Sequence, residues 1–206
     1  MDFNISAEYG IPVLKVNIGT NYQLLPYVEE YFSMEGGEHQ LERGGSSTRS
    51  FEGGIHLDQI EEFNDLCSKI LQYADEFWKE YGLENYYQPN IKEAWSNQHH
   101  RGDETLVHTH SGSPIVATYY LKAPENSGRL YFENPLEYHQ CHEPRANINR
   151  RYVDIKDGTL IIFPGFLKHG TEASKTDLPR TVLAINFGYE NRKPVITQLK
   201  NVRSIL

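Results

Sequence analysis

From Ile91 onward the chain breaks into short runs rich in Val, Ile, Tyr, Phe and Thr, separated by Gly, Pro, Asn and Asp. Such runs predict strands, because β-branched and aromatic side chains suit a pleated, half-buried surface and the punctuating residues suit turns. Strands are expected near 91–97, 105–110, 114–122, 128–133, 151–155, 159–163 and 180–189. At this density, without intervening helices, they argue for an antiparallel sandwich or barrel rather than a parallel sheet. The first ninety residues differ. Val13 to Ile18 reads as a strand, and Thr20 as the cap of a helix in which Leu24, Leu25, Val28, Tyr31 and Phe32 recur at helical spacing. The Gly- and Ser-rich stretch Gly36 to Gly54 reads as a loop, a connector more than a lid. Asp58 and Glu61 resemble a capping box opening a helix from Gln59 to about Tyr81. Its buried side would hold Ile60, Phe63, Leu66, Ile70, Leu71, Ala74, Phe77 and Trp78. The expected fold is mainly β with supporting helices. An N-terminal helical layer (1–90) braces a double-stranded β-helix of jelly-roll, cupin-like form (91–190), followed by a C-terminal extension (191–206).

Composition narrows the classes without changing this picture. The 206 residues fit a single domain, and 38% hydrophobic with 12% aromatic residues supply a packed interior. A net charge of -8 repels phosphate backbones, and no basic run offsets it, so no nucleic-acid partner is expected. The N-terminus lacks a basic segment followed by an apolar one, and no stretch is long enough to cross a bilayer, so no membrane association is expected. Cys67 and Cys141 are too few for a disulfide framework, which suggests a reducing, cytoplasmic setting. Exposed strand edges suggest a homodimer.

The candidate chemistry lies in the histidines. His108 and His110, in TLVHTHSGS, are two apart, and alternate strand residues share a face, so both can grip one ion. His169 follows the apolar run TLIIF and the turn PGFLK, where a third ligand could arrive. Read plainly, an H-x-H is a pair of strand histidines without a metal. Arg180 adds weight: it opens RTVLAINF after the turn signal KTDLP, and its planar fork suits a carboxylate bidentately. Alone, it would be a surface charge. His139 and His142 flank Cys141, but no second pair completes four zinc ligands there. His99 and His100, in a polar loop, are expected to be exposed to solvent.

Taken together, these residues resemble the 2-oxoglutarate and Fe(II)-dependent dioxygenase superfamily, whose pattern is H-x-D or H-x-E, a later His, and an Arg about ten residues on. HTHSGSPIVATYYL and GRLYFENP are similar to successive strands of prolyl hydroxylases. DGTLIIFPGFLKHGTEASKTDLPRTVLAINF resembles their distal His and Arg strands. Closer still are uncharacterised bacterial and phage 2OG-Fe(II) oxygenases with H-x-H, with W-x-N before it (Trp95-Ser96-Asn97) and F-P (Phe163-Pro164) before the distal His. The resemblance covers roughly residues 91–190. It implies iron ligation by His108 and His169, Arg180 on the distal carboxylate of 2-oxoglutarate, a supporting hydrogen bond from Tyr120, and Asn97 and Asn186 lining the pocket.

His110 departs from the pattern, standing where most of the superfamily has a carboxylate. A neutral imidazole leaves the metal more cationic. Three readings stay open: His110 ligates; it only neighbours the metal; or Asp103, Glu104 or Glu133 supplies the carboxylate. With Fe(II), 2-oxoglutarate and O2, the implied reaction is hydroxylation of a small-molecule or peptide substrate, its pocket walled by strand 114–122 and the loops after 97 and 135. A three-histidine cupin-type dioxygenase that uses no 2-oxoglutarate, and a non-catalytic jelly-roll binding module, are the alternatives.

Overall fold

The computed structural model describes residues 4–8, 10–34, 39–49, 56–82, 84, 87–135 and 150–191. Its architecture follows from alternation along one long strand, β11 (Arg180–Asn191), flanked by β5 (Tyr87–His99) and β6 (Ile115–Lys122). On β11, Leu183, Ile185 and Phe187 join one apolar cluster, while Val182, between Arg180 and Ala184, belongs to the opposite face. The sheet extends through β9 (Thr159–Pro164), β2 (Ile11–Asn17) and β1 (Asn4–Glu8) on one side. On the other it adds the two-residue strands β4 (Ser46–Ser47) and β3 (His39–Gln40). The order is β1-β2-β9-β6-β11-β5-β4-β3, with every pairing antiparallel. A second sheet, β10-β7-β8, is formed by β10 (His169–Thr171), β7 (Leu130–Glu133) and β8 (Arg150–Val153).

Helices α1 (Leu25–Ser33) and α2 (Asn64–Trp78) contribute to the larger cluster. Ile70 and Phe77 of α2 are wholly buried with Leu14, Ile162 and Leu183, each such side chain stabilising the fold by about 1.5–3 kcal/mol. The smaller cluster joins Val116, Tyr120, Phe163 and Val182 of the large sheet to Leu130 and Phe132 of the small one. The cleft described below opens beside it. This is the double-stranded β-helix with a supporting helical layer that the hydrophobic pattern predicts.

The differences lie where local signals compete with tertiary contacts. No side chain caps α1, which starts after a 3-10 turn at Tyr22–Leu24, so the expected cap at Thr20 is not used. The expected helix from Gln59 to Tyr81 is α2 between 3-10 turns, with Ile60 extended (φ -104°, ψ 128°). Asp58 caps nothing; its carboxylate accepts the Ala94 N–H at 2.8 Å and ties the turn to β5. Leu71 is only half-buried, while Cys67 and Tyr73 enter the core. Part of the expected loop Gly36 to Gly54 is sheet, since β4 pairs with Asn97 and Gln98. Residues 105–110 form no strand, only the single bridge His108–His169. The segment around Cys141 and most of the extension expected at 191–206 lie outside the described residues. Among the described residues no helix is long and apolar enough to cross a membrane.

Candidate metal centre

The segment carrying His108 and His110 is irregular yet held at two points. His108 and His169 exchange backbone N–H···O bonds of 3.0 and 3.1 Å, and the His110 N–H donates to Gly165 O at 2.8 Å. A Cβ on Gly165 would lie 2.0 Å from Ser113 O and 3.1 Å from His110 O, so only glycine admits this approach. His169 opens β10 and is buried edge-on against the Phe163 ring, with ring centres 4.6 Å apart.

The three rings converge. Their ligating nitrogens all lie within 4.8 Å of one another. The His108 Nδ1 is 2.8 Å from Leu106 O and the His169 Nδ1 is 2.8 Å from Leu167 O; a carbonyl only accepts, so both Nδ1 atoms carry the proton. The His110 Nδ1 is 2.5 Å from Asn186 Oδ1. That amide is itself oriented, because Asn186 Nδ2 donates to the Glu93 carboxylate at 2.5 Å. All three Nε2 atoms therefore present lone pairs, and those of His108 and His110 face each other at 3.1 Å. Two lone pairs so close repel unless a cation lies between, and ligands about 2.1 Å from an octahedral ion sit ~3 Å apart. Burial, then the neighbouring His108, lowers the pKa of His110 to about 4; burial likewise lowers that of His108, and that of His169 falls well below 6.5. The rings are neutral at neutral pH, the form that binds metal.

No carboxylate joins this trio among the described residues. Asp103 accepts the His100 N–H at 2.7 Å, and Glu133 faces Arg150 at 3.3 Å. Behind His110 stands a shell that the sequence does not announce. Glu93 pairs with Arg49 at 2.8 and 3.1 Å, the Arg49 guanidinium lies 4.6 Å over the Trp95 ring, and Trp95 stacks on His110 at 6.1 Å. Burial opposes ionisation of Glu93, but the hydrogen bonds from Asn186 and Arg49 outweigh it and hold the carboxyl below the usual range.

The cleft lined by the trio also contains Trp95, Asn97, His99, Tyr120, Thr171 and Arg180. Arg180 is 0% exposed. Its guanidinium donates to Ser127 O (2.6 Å), Gly128 O (2.8 Å) and Thr171 Oγ1 (3.0 Å), while Nε has no partner. A buried cation without a counter-ion is costly, and no carboxylate pairs with this one among the described residues. Gly128 permits the contact, since at φ +86° its Cβ would approach Arg180 Nη1 to 2.9 Å. The donor set fits a carboxylate. Tyr119 and Tyr120 are both buried, on opposite faces of the sheet. The Tyr119 hydroxyl donates to Gly19 O on the helical side, and Tyr120 lines the cleft.

His99, expected in solvent, is instead 2% exposed and lines the cleft opposite its β-ladder partner Arg180; His100 is exposed. Its Nε2 meets Thr105 Oγ1 at 3.0 Å, whereas its Nδ1 and the Asn97 Oδ1 are buried without partners. Burial, then the charges of Arg180 and His100, lowers His99 to about 3. An unfolded histidine titrates near ~6.5, so below that pH the unfolded chain takes up a proton that folded His99 refuses. Stability contributed by the neutral ring is complete above ~6.5 and declines as pH falls toward about 3. The metal-free protein is therefore expected to melt progressively lower between pH 7 and pH 4.5, with a shallower dependence in His99→Gln. Equal slopes for the two proteins would contradict the assignment.

Comparison with known proteins agrees with this geometry. Residues 93–186 match the model of a family described as "Putative 2OG-Fe(II) oxygenase". A search of curated proteins returned no match. Among solved structures, the non-haem α-ketoglutarate-dependent epimerase SnoN from nogalamycin biosynthesis aligns with a TM-score of 0.60 at 14% identity, covering 94% of this chain and 86% of its own. HygX from Streptomyces hygroscopicus, solved with nickel, 2-oxoglutarate and hygromycin B, aligns at 0.56 and 12% identity, with 86% and 83% covered. A Trichoplax adhaerens prolyl hydroxylase, in complex with a hypoxia inducible factor peptide fragment, aligns at 0.56 and 17% identity, with 85% and 82% covered. These likenesses show a shared fold. The segment that carries the three histidines and Arg180 is the one that matches the 2OG-Fe(II) oxygenase family model.

Proposed function

We propose that the protein is a 2-oxoglutarate- and Fe(II)-dependent dioxygenase, a hydroxylase in its simplest form, with iron on His108, His110 and His169 and 2-oxoglutarate anchored by Arg180. The reading rests on one observation: three inward lone pairs line the same cleft as a buried guanidinium with which no carboxylate among the described residues pairs. Bound iron, 2-oxoglutarate and O2 supply oxidative decarboxylation coupled to C–H oxidation. The chain's own residues do the positioning. Arg180 and the Tyr120 hydroxyl hold the far carboxylate, Asn97 lines the pocket, and the Nδ1 bonds keep the imidazoles aimed. Val116, Phe163 and Val182 exclude water, which strengthens every polar contact within.

The substrate fitting this reading is a small molecule or a peptide, the two kinds of ligand held by the HygX and Trichoplax structures. A single cytoplasmic domain, acting as a homodimer through its open strand edges, completes the proposal. Anaerobic titration of the Fe(II) protein with 2-oxoglutarate tests it. A visible metal-to-ligand charge-transfer band is expected at one equivalent. O2 consumption without 2-oxoglutarate, yielding no succinate, would favour the three-histidine dioxygenase instead. Failure to retain any metal after anaerobic reconstitution would favour a binding module.

A further inference from the structure

We propose that Glu93 and Asn186 are positioning residues that bring a carboxylate's influence to the metal indirectly, through His110. The inference rests on the iron reading of the histidine trio. It begins with what the ligand set lacks, for three imidazoles leave a divalent ion with its full charge, whereas a carboxylate ligand would offset part of it. The nearest connected carboxylate is Glu93, and the connection is continuous: Glu93 Oε1 accepts from Asn186 Nδ2, and Asn186 Oδ1 accepts from His110 Nδ1.

Each bond orients the next. An ionised carboxylate can only accept, so it fixes which end of the Asn186 amide faces it. The amide oxygen then requires the proton on His110 Nδ1, and Nε2 is left to ligate. The arrangement closes on itself through Arg49, which grips Glu93 and covers Trp95, and through Trp95, which stacks on His110. Backbone geometry supplies the pairing, since Asn186 and Glu93 are opposite partners in the β5–β11 ladder. His108 and His169 are held instead by backbone carbonyls. Among the described residues, only the histidine standing where a carboxylate is usual has a carboxylate behind it.

Polarising the Nδ1–H bond makes the imidazole a stronger donor, and removing such outer partners typically lowers metal affinity by about 10–100-fold. The test uses Co(II) bound to the whole protein, read by its visible ligand-field spectrum and by chelator competition, with no turnover needed. Asn186→Leu and Glu93→Gln are each expected to weaken Co(II) binding by at least about tenfold and to change the spectrum. Glu76→Gln, which breaks a surface pair between α2 and Lys79 just beyond its end, is the control and is expected to change neither. The double variant Glu93→Gln/Asn186→Asp exchanges amide and carboxylate while keeping an acceptor for His110, and is expected to recover the lost affinity. Should Asn186→Leu fail to fold, Glu93→Gln carries the test, because its side chain is 24% exposed and its shape is kept. Wild-type affinity in Glu93→Gln, or no recovery in the double variant, would overturn the inference while leaving the iron reading intact. A wild-type protein that binds no Co(II) would overturn both.

Discussion

Arg180→Ala is expected to raise the 2-oxoglutarate concentration needed for half-maximal turnover by about a hundredfold or more, with metal affinity nearly unchanged. The size follows from what is removed: a buried charge-assisted pair whose truncation typically costs about 2–5 kcal/mol, enough for such a factor. The specificity follows from place, since Arg180 shares the cleft with the histidines but bonds to none of them. Folding should suffer as well, because Ser127 O and Gly128 O lose their donor, at about 1–3 kcal/mol for each buried group left unpaired, whereas Thr171 Oγ1 keeps the Thr105 N–H at 2.9 Å. Arg180→Lys keeps the charge but not the fork, and is expected to fall between the two. Steady-state assays at varied 2-oxoglutarate decide the matter; an unchanged dependence would remove Arg180 from this role.

His169→Ala is expected to abolish stoichiometric metal binding. The ring is 3% exposed and packs against Phe163, so no other side chain among the described residues can take its place. Two ligands two residues apart would remain on an irregular segment whose bridge partner is the mutated residue itself. Elemental analysis after anaerobic reconstitution provides the measurement, with melting curves to separate metal loss from the cavity left beside Phe163. Retention of one equivalent of iron would exclude His169 as a ligand.

That the trio and Arg180 meet in one cleft was legible because each sits in a local pattern: an H-x-H, a His after an apolar strand and turn, an Arg opening the next strand; Tyr120 came only with the family resemblance. His99, Glu93 and Arg49 were not. His99 lies beside Arg101-Gly102-Asp103 and looks like loop, yet β5 runs as far as it does because β11 pairs with it along its whole length. Arg180↔His99 and Asn186↔Glu93 are both rungs of that ladder, and register between strands about ninety residues apart is a tertiary property that no local window contains. Arg49 was hidden for a similar reason. The Gly- and Ser-rich run around it reads as connector until Ser46–Ser47 find the edge of β5. The ligand segment misled in the other direction, since its alternation holds but only one bridge supports it.

Arg180, Val182, Ala184 and Asn186 occupy alternate places on β11, with the proposed co-substrate anchor at one end and the hydrogen-bond partner of His110 at the other. That strand is thus a ruler six residues long, roughly 20 Å at ~3.4 Å per residue. Loss of one residue between its ends would turn one of them to the wrong side. Loss of two would restore orientation but shorten the span by ~7 Å, shifting the guanidinium by two rungs relative to the amide that backs His110. Length and parity of a single stretch of backbone are therefore inherited together, and side-chain substitution alone cannot recalibrate either.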